Sequence, residues 1–162
     1  MTNKKPLSHL DSNGNPTMVN VGEKLITHRL ARARAVVELG EEILSRLQNG
    51  ELQTKKGAVF QTAIVAGIMA AKKTSDLIPL CHPLGLDDCH LSITPISKSE
   101  IAIDCTAELH SKTGVEMEAL TGATLAALTI YDMCKALSHD IVIKEIKLIE
   151  KRGGKSDFKR EN

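Results

Sequence analysis

Polar and apolar residues alternate with a period of two in four separate segments, the pattern of strands that bury one face. The second and third segments are joined by Ser97-Lys98-Ser99-Glu100, so they predict a β-hairpin. The first segment is also compatible with a helix, because small residues separate its arginines. The four segments are residues 27–37, 90–96, 101–109 and 141–149.

Apolar residues recur at helical spacing over residues 113–138, which predicts one long helix. Thr113 and Glu116, three positions apart, are typical of a capping box at its start. Two further helices are predicted over residues 41–48, closed by Asn49-Gly50, and over residues 59–74. The longer of these carries a surface of small residues, so we expect it to pack against the long helix.

The order strand, helices, strand, strand, helix, strand predicts an α+β fold. A four-stranded antiparallel sheet with the helices packed on one face accommodates it, which is the ferredoxin-like arrangement with an extra helix. We expect residues 1–24 to form a flexible arm, residues 25–158 a single domain and residues 159–162 a short tail.

Composition narrows the class of protein. The chain has 162 residues, of which 42% are hydrophobic, and its 21 basic residues nearly balance its 20 acidic ones. With three aromatic residues (FWY), it lacks the stacking surfaces of single-strand binders, so we expect no nucleic acid partner. No apolar run is long enough to predict a membrane span, and the four cysteines show no secreted framework. We therefore expect a cytoplasmic protein.

The two ends of the long helix carry the first candidate chemistry. Glu116 and Glu118 lie near its start, and Asp132 with Lys135 lies near its end. Helical geometry separates Glu118 from Asp132 by about 21 Å along the axis and about 40° around it. One small substrate cannot reach both ends of one helix. Either each chain has two sites, or one end meets the opposite end of a neighbouring subunit, which is the arrangement we favour.

Other candidates leave alternatives open. Arg29, Arg32 and Arg34 form either a solvated strand face or a phosphate cradle, because guanidinium forks match phosphate oxygens. Two prolines fix the backbone around Cys81-His82, and Cys89-His90 repeats the pair, but this spacing is not typical of zinc sites. The Gly-Lys-Ser of the tail lacks the first glycine of a phosphate-binding loop. In that tail, Lys151 is the best-placed cation for an anionic ligand.

Three longer stretches carry a family resemblance. They are DLIPLCHPL at 76–84, KTGVEMEAL at 112–120 and LTIYDMCKA at 128–136. Together they resemble the cyclic pyranopterin monophosphate synthases, the molybdenum cofactor biosynthesis protein C family. The likeness extends from about Val19 to Phe158.

The resemblance implies a lyase reaction that converts 3′,8-cyclo-7,8-dihydro-GTP to cyclic pyranopterin monophosphate and releases pyrophosphate. It also implies a ferredoxin-like subunit, a homohexamer built as a trimer of dimers, and a pocket at the dimer interface. No metal or other cofactor is implied, although Mg²⁺ can accompany the triphosphate. The family's catalytic residues match Asp132, Lys135 and Lys56. Its substrate-binding residues match Leu80, Cys81, His82, Glu116, Met117, Glu118, Lys151 and Arg29.

This reaction defines what the site residues must do. Lys56, His82, Lys151 and Arg29 are expected to balance the charge that builds on the departing pyrophosphate.

Lys56 and Lys135 are expected to titrate nearer neutrality through mutual crowding, with Asp132 orienting Lys135. Glu116 or Glu118 is expected to bind the donor edge of the ring. Which lysine acts as acid and which as base stays open. The alternative function is a noncatalytic ferredoxin-like module that binds nucleotides or regulates a partner.

Overall fold

The computed structural model describes residues 10–11 and 13–161, so the first nine residues of the predicted arm lie outside the described part. No helix within that part combines the length and apolar character needed to cross a bilayer. Its strands are β1 Thr27–Glu38, β2 Gln53–Thr54, β3 Gly57–Ala58, β4 Asp88–Pro95, β5 Glu100–Ser111, β6 Val142–Arg152 and β7 Phe158–Lys159. Its helices are α1 Glu41–Leu44, α2 Val59–Ala71, α3 Thr74–Leu77 and α4 Glu116–Cys134.

The main sheet is antiparallel and has the strand order β4-β5-β1-β6-β7. Its four long strands follow the predicted segments, and β4 with β5 forms the predicted hairpin. With α2 between the first two long strands and α4 between the last two, the predicted α+β, ferredoxin-like fold is confirmed. The short strands β2 and β3 form a separate hairpin.

The predicted number of strands is wrong, because the sheet has five strands rather than four. After β6 the chain turns at Gly153, whose φ is +82°, and β7 pairs back onto Glu150 and Lys151. A Cβ at position 153 would lie 1.8 Å from the carbonyl oxygen of His28, so this turn requires glycine. A strand of two residues leaves no alternation to read in the sequence.

The predicted packing between the two long helices is confirmed. α4 lies on β1, β5 and β6, and α2 packs beside it and against β4. The two helices approach closely at Gly67 and Gly122, because a Cβ on Gly67 would lie 2.9 Å from the carbonyl oxygen of Gly122. Below the helices the core is lined by small side chains on β1, so the helices sit close to the sheet. These residues are Ala31, Ala33 and Ala35, all fully buried.

The predicted capping box is wrong. α4 begins at Glu116 with Val115 as its N-cap residue, and no side chain caps it. The carboxylate of Glu116 instead lies over Gly114 and forms an ion pair with Lys151, 3.2 Å away. It therefore does not close the reciprocal pair with Thr113 that a capping box needs.

The helices are also shorter than predicted. The helix predicted over residues 41–48 is α-helical only over Glu41–Leu44, and the one predicted over residues 59–74 ends at Ala71 before the short α3. α4 ends at Cys134 rather than near residue 138. The predicted stop at Asn49-Gly50 is a turn in which both residues have positive φ.

The three arginines of β1 divide between the two faces of the sheet. Arg32 and Arg34 both form ion pairs with Asp104, at 3.7 and 2.7 Å, on the face opposite the buried alanines. Because strand side chains alternate, Arg29 lies on the helix side, where it donates to the carbonyl oxygens of Ser111 and Lys112. The three arginines therefore do not form one phosphate cradle.

Candidate active site

Lys56, Asp132 and Lys135 form one cluster at the C-terminal end of α4. Lys56 projects from the tight turn between β2 and β3, where Gly57 adopts a φ of +107°. Its Nζ lies 2.7 Å from Oδ2 of Asp132 and also donates to that residue's carbonyl oxygen at 3.0 Å. Nζ of Lys135 lies 2.8 Å from the other carboxylate oxygen. One carboxylate thus fixes two ammonium groups.

The electrostatics of this cluster differ from the expectation. Hydrogen bonds from Lys135 and Lys56 lower the pKa of Asp132 to about 2. The same hydrogen bond to Asp132 raises the pKa of Lys135, so the predicted lowering by neighbouring cations is wrong for this residue in a single chain. Asp132 is also half exposed, with 53% of its side chain accessible. The cluster is therefore open to a ligand or to another subunit.

The N-terminal end of α4 borders a cavity of about 700 Å³. The loop that follows α3 closes one side, and residues 19–21 and Lys24 cross another. Seven of the eight residues predicted to bind substrate line this space. They are Leu80, Cys81, His82, Glu116, Met117, Glu118 and Lys151.

Glu118 is the unusual titratable group of this cavity. It is 4% exposed, and burial together with the charge of Glu116 raises its pKa to about 7. Burial and the charge of Glu118 in turn raise the pKa of the Cys81 thiol. A carboxyl group that titrates near neutrality can donate or accept a proton under physiological conditions. No local sequence pattern predicts this shift, because it arises mainly from burial in the folded chain.

A smaller and strongly basic cavity of about 230 Å³ continues from the first. Arg29, the eighth predicted binding residue, lines it, and Glu116 and Lys151 border both spaces. The basic residues that sequence reasoning missed also lie here. They are Lys24, Lys112, Arg152 and Lys155. Lys112 and Lys155 belong to the runs KTG and GGKS, so their neighbours in the sequence were the available signal.

His82 holds the segment that crosses the large cavity. Its Nε2 donates to the carbonyl oxygen of Val19 at 2.9 Å, and Nζ of Lys112 donates to that of Gly22. The ring nitrogen expected to face phosphate is thus bound to the backbone. A ligand that recruits His82 must compete with this hydrogen bond.

The structure brings the predicted site residues together in two groups rather than one. Eight lie around the joined cavities, and the other three form the cluster at the opposite end of α4. The helix separates the groups by about 21 Å, as its geometry requires. Among the described residues, no three His, Cys, Asp or Glu side chains converge in a way that could hold a metal ion.

Comparison with known proteins agrees with the sequence resemblance. Residues 18–154 match the MoaC family. A cyclic pyranopterin monophosphate synthase of Xanthomonas axonopodis pv. citri is 50% identical over 94% of this chain and 92% of its own length. Molybdenum cofactor biosynthesis protein 1 of Dictyostelium discoideum is 51% identical over 92% of this chain, which spans 26% of that protein.

A molybdenum cofactor biosynthesis bifunctional protein of Synechocystis is 49% identical over 93% of this chain and 44% of its own length. The matched region includes both ends of α4 and the loop at Cys81-His82. The resemblance drawn from the three sequence stretches is therefore confirmed: the chain belongs to the MoaC family.

Proposed function

We propose that the protein is a cyclic pyranopterin monophosphate synthase, a lyase that converts 3′,8-cyclo-7,8-dihydro-GTP to cyclic pyranopterin monophosphate and pyrophosphate in molybdenum cofactor biosynthesis. The observation that carries this proposal is the joined pair of cavities at the start of α4, one with a buried carboxyl group and one lined by cations. This layout suits a substrate with a polar ring and a triphosphate.

In this proposal the ring occupies the larger cavity, where Glu118 faces its donor edge. The triphosphate extends into the basic cavity, where Arg29 and Lys151 balance the charge that develops as pyrophosphate leaves. Mg²⁺ can accompany the triphosphate, and no resident metal or cofactor is part of the proposal. Glu116 keeps Lys151 positioned through its ion pair.

The proton transfers of ring opening and closure need groups that change charge near neutrality. Glu118 meets this requirement through its pKa of about 7. Lys56 and Lys135 are held by Asp132, so their ammonium groups serve as proton donors and as fixed positive charge in the starting state. When a substrate phosphate enters next to this cluster, it changes the charge balance among Lys56, Lys135 and Asp132, because the new anion competes with Asp132 for both lysines.

Both groups of residues act on one substrate only if they come from two chains. An outer face of α2 and α4 supports this arrangement, since it exposes large apolar side chains between the two groups. Antiparallel pairing of two α4 helices across a twofold axis sets the start of each beside the end of the other. We therefore propose a homohexamer, a trimer of dimers, with the sites at the dimer interface. The exposed residues between the groups are Val65, Met69 and Leu128.

We further propose a cytoplasmic location and no nucleic acid partner. All four cysteines lie in the described part of the chain and are unpaired. Free thiols are typical of proteins in reducing compartments, which supports this location.

The test is release of pyrophosphate from 3′,8-cyclo-7,8-dihydro-GTP by the native chain, compared with Lys135→Ala and Asp132→Ala. Lys144→Ala is a matched control, because Lys144 pairs with Glu100 at the far end of the sheet. We expect release by the native chain and the control and its loss in both site variants. Tight binding without any release by the native protein would instead favour the noncatalytic binding module.

A further inference from the structure

Two cysteines outside the candidate active site lie diagonally opposite each other on neighbouring strands. In the β4–β5 register Cys89 pairs with Ala107, and Leu91 pairs with Cys105. The cysteines are therefore diagonal neighbours, and the alternation of side chains places them on the same face of the sheet. Each thiol shifts the pKa of the other, as expected for neighbouring side chains. This pair belongs to neither end of α4.

The two thiols differ in their access to solvent. Cys105 is completely buried under α4, where a Cβ on Gly122 would lie 2.6 Å from its Sγ. Cys89 is half-buried and lines a surface cleft of about 350 Å³, together with Lys72 and Asp88. A small oxidant can reach Cys89 from the cleft, whereas Cys105 can react only with its neighbour.

The surroundings of the two thiols shift their pKa values in opposite directions, so the two differ in reactivity. The neighbouring thiol of Cys105 lowers the pKa of Cys89, an effect that Lys72 supports and that burial and Asp88 oppose. The Cys89 thiol and burial in turn raise the pKa of Cys105. Burial also raises the pKa of the other two thiols, that of Cys134 to about 11, so neither Cys81 nor Cys134 competes as a thiolate.

We propose that Cys89 and Cys105 form a peroxide-responsive pair that closes to a reversible disulfide. The Cys89 thiolate attacks one oxygen of hydrogen peroxide, the O–O bond breaks, and with one proton the products are a sulfenic acid and water. The Cys105 thiol then attacks the sulfenic sulfur and a second water leaves. The two thiols together lose two electrons and two protons, and one peroxide is reduced to two waters.

Closure of this disulfide acts on the structure around α4. Diagonal neighbours in a sheet have Cα atoms about 7–8 Å apart, whereas disulfides favour less than about 7 Å, so the strands must draw together. The Sγ of Cys105 then moves from its place under Gly122. Leu84 borders both the cleft at Cys89 and the large cavity, so movement in the cleft reaches the candidate active site.

The test uses the full reduced chain, treated with hydrogen peroxide and then alkylated at its remaining thiols. Mass spectrometry should find two alkyl groups on the oxidised chain, against four on the untreated chain. The peptides of Cys89 and Cys105 should be linked, and dithiothreitol should separate them. Cys81→Ala, the matched control, should form the same link at the same rate. Cys89→Ala should slow the loss of the Cys105 thiol by at least about tenfold, because the reactive thiolate is gone.

A second variant separates the two steps without relying on the disulfide. In Cys105→Ala the sulfenic acid of Cys89 has no resolving thiol, so dimedone should trap it. If this variant fails to fold, peptide mapping of the native chain still decides. Faster oxidation of Cys81 than of Cys89, irreversible oxidation of Cys89 without a link, or a pair left reduced while peroxide is consumed would each overturn the proposal.

Discussion

At the scale of single residues, Glu118 shows how the helix and its cavity together set a pKa. The first turn of α4 places this residue at the wall of the large cavity, where it is almost fully buried. Burial disfavours its charged form, and the neighbouring charge of Glu116 disfavours it further. The fold therefore keeps a proton on this carboxyl group well above the usual range of glutamate.

This shift predicts a specific dependence of stability on pH. Between the ordinary pKa of 4.5 and the folded value of about 7, only the folded state keeps the proton on Glu118. Stability should therefore fall as pH rises through this window, by at most about 3 kcal/mol. Glu118→Gln should remove most of that slope, as measured by urea unfolding at several pH values. An unchanged slope in this variant would show that other groups cause it.

Asp132 leads to a different prediction, because it is exposed and already ionised at neutral pH. Its role is to hold the ammonium groups of Lys56 and Lys135. Asp132→Asn should reduce pyrophosphate release by about a hundredfold or more, while the protein stays folded at the assay temperature. Since its pKa is about 2, the native enzyme should show no loss of activity from this group above pH 4. Asp140→Asn, another exposed aspartate, should retain activity.

At the scale of elements, periodicity predicted those structures whose pattern is long enough to repeat. The strands β1, β4, β5 and β6 and the helices α2 and α4 each bury one side, so their alternation is visible in the sequence. β7 has two residues and leaves no pattern. The start of α4 was misplaced, because Thr113 and Glu116 satisfy a local rule that the ion pair with Lys151 overrides.

The contact between α2 and α4 predicts the effect of a single methyl group. In Gly122→Ala the new Cβ would lie 2.6 Å from Sγ of Cys105 and 3.3 Å from the carbonyl oxygen of Gly67. The variant should lose about 1–3 kcal/mol of unfolding free energy, even though alanine favours helix. Gly85→Ala is the matched control, because its Cβ meets nothing within 4 Å. Equal unfolding midpoints for the two variants in urea would contradict this packing.

At the scale of the whole molecule, the proposed site is divided between two chains. Lys135→Ala and Glu118→Gln, each with low activity alone, should complement each other after their subunits are exchanged. Random exchange yields half mixed dimers, each with one intact site, so activity should return to about a quarter of the native level. The same variants mixed without exchange are the control. Activity no higher than the average of the two variants would place both residues in sites within one chain.

The sequence predicts those parts of the candidate site that depend on one helix, and it does not predict those that depend on distant segments. Helical geometry alone predicted the distance between Glu118 and Asp132, and that prediction needed no tertiary contact. The joined cavities could not be foreseen, because Lys24, Lys112 and Lys155 converge only after the sheet has formed. The hydrogen bond between His82 and Val19 likewise joins segments 63 positions apart, which no local pattern reports.

Because α4 sets the distance and the angle between its two ends, its length also has an evolutionary consequence. A substitution within the helix leaves the number of residues between its two ends unchanged. Insertion or deletion of one residue between Glu118 and Asp132 would instead turn one end by about 100° relative to the other and shift it by about 1.5 Å. This stretch should therefore keep a constant length among functional relatives, and the gaps in their alignments should fall in the loops.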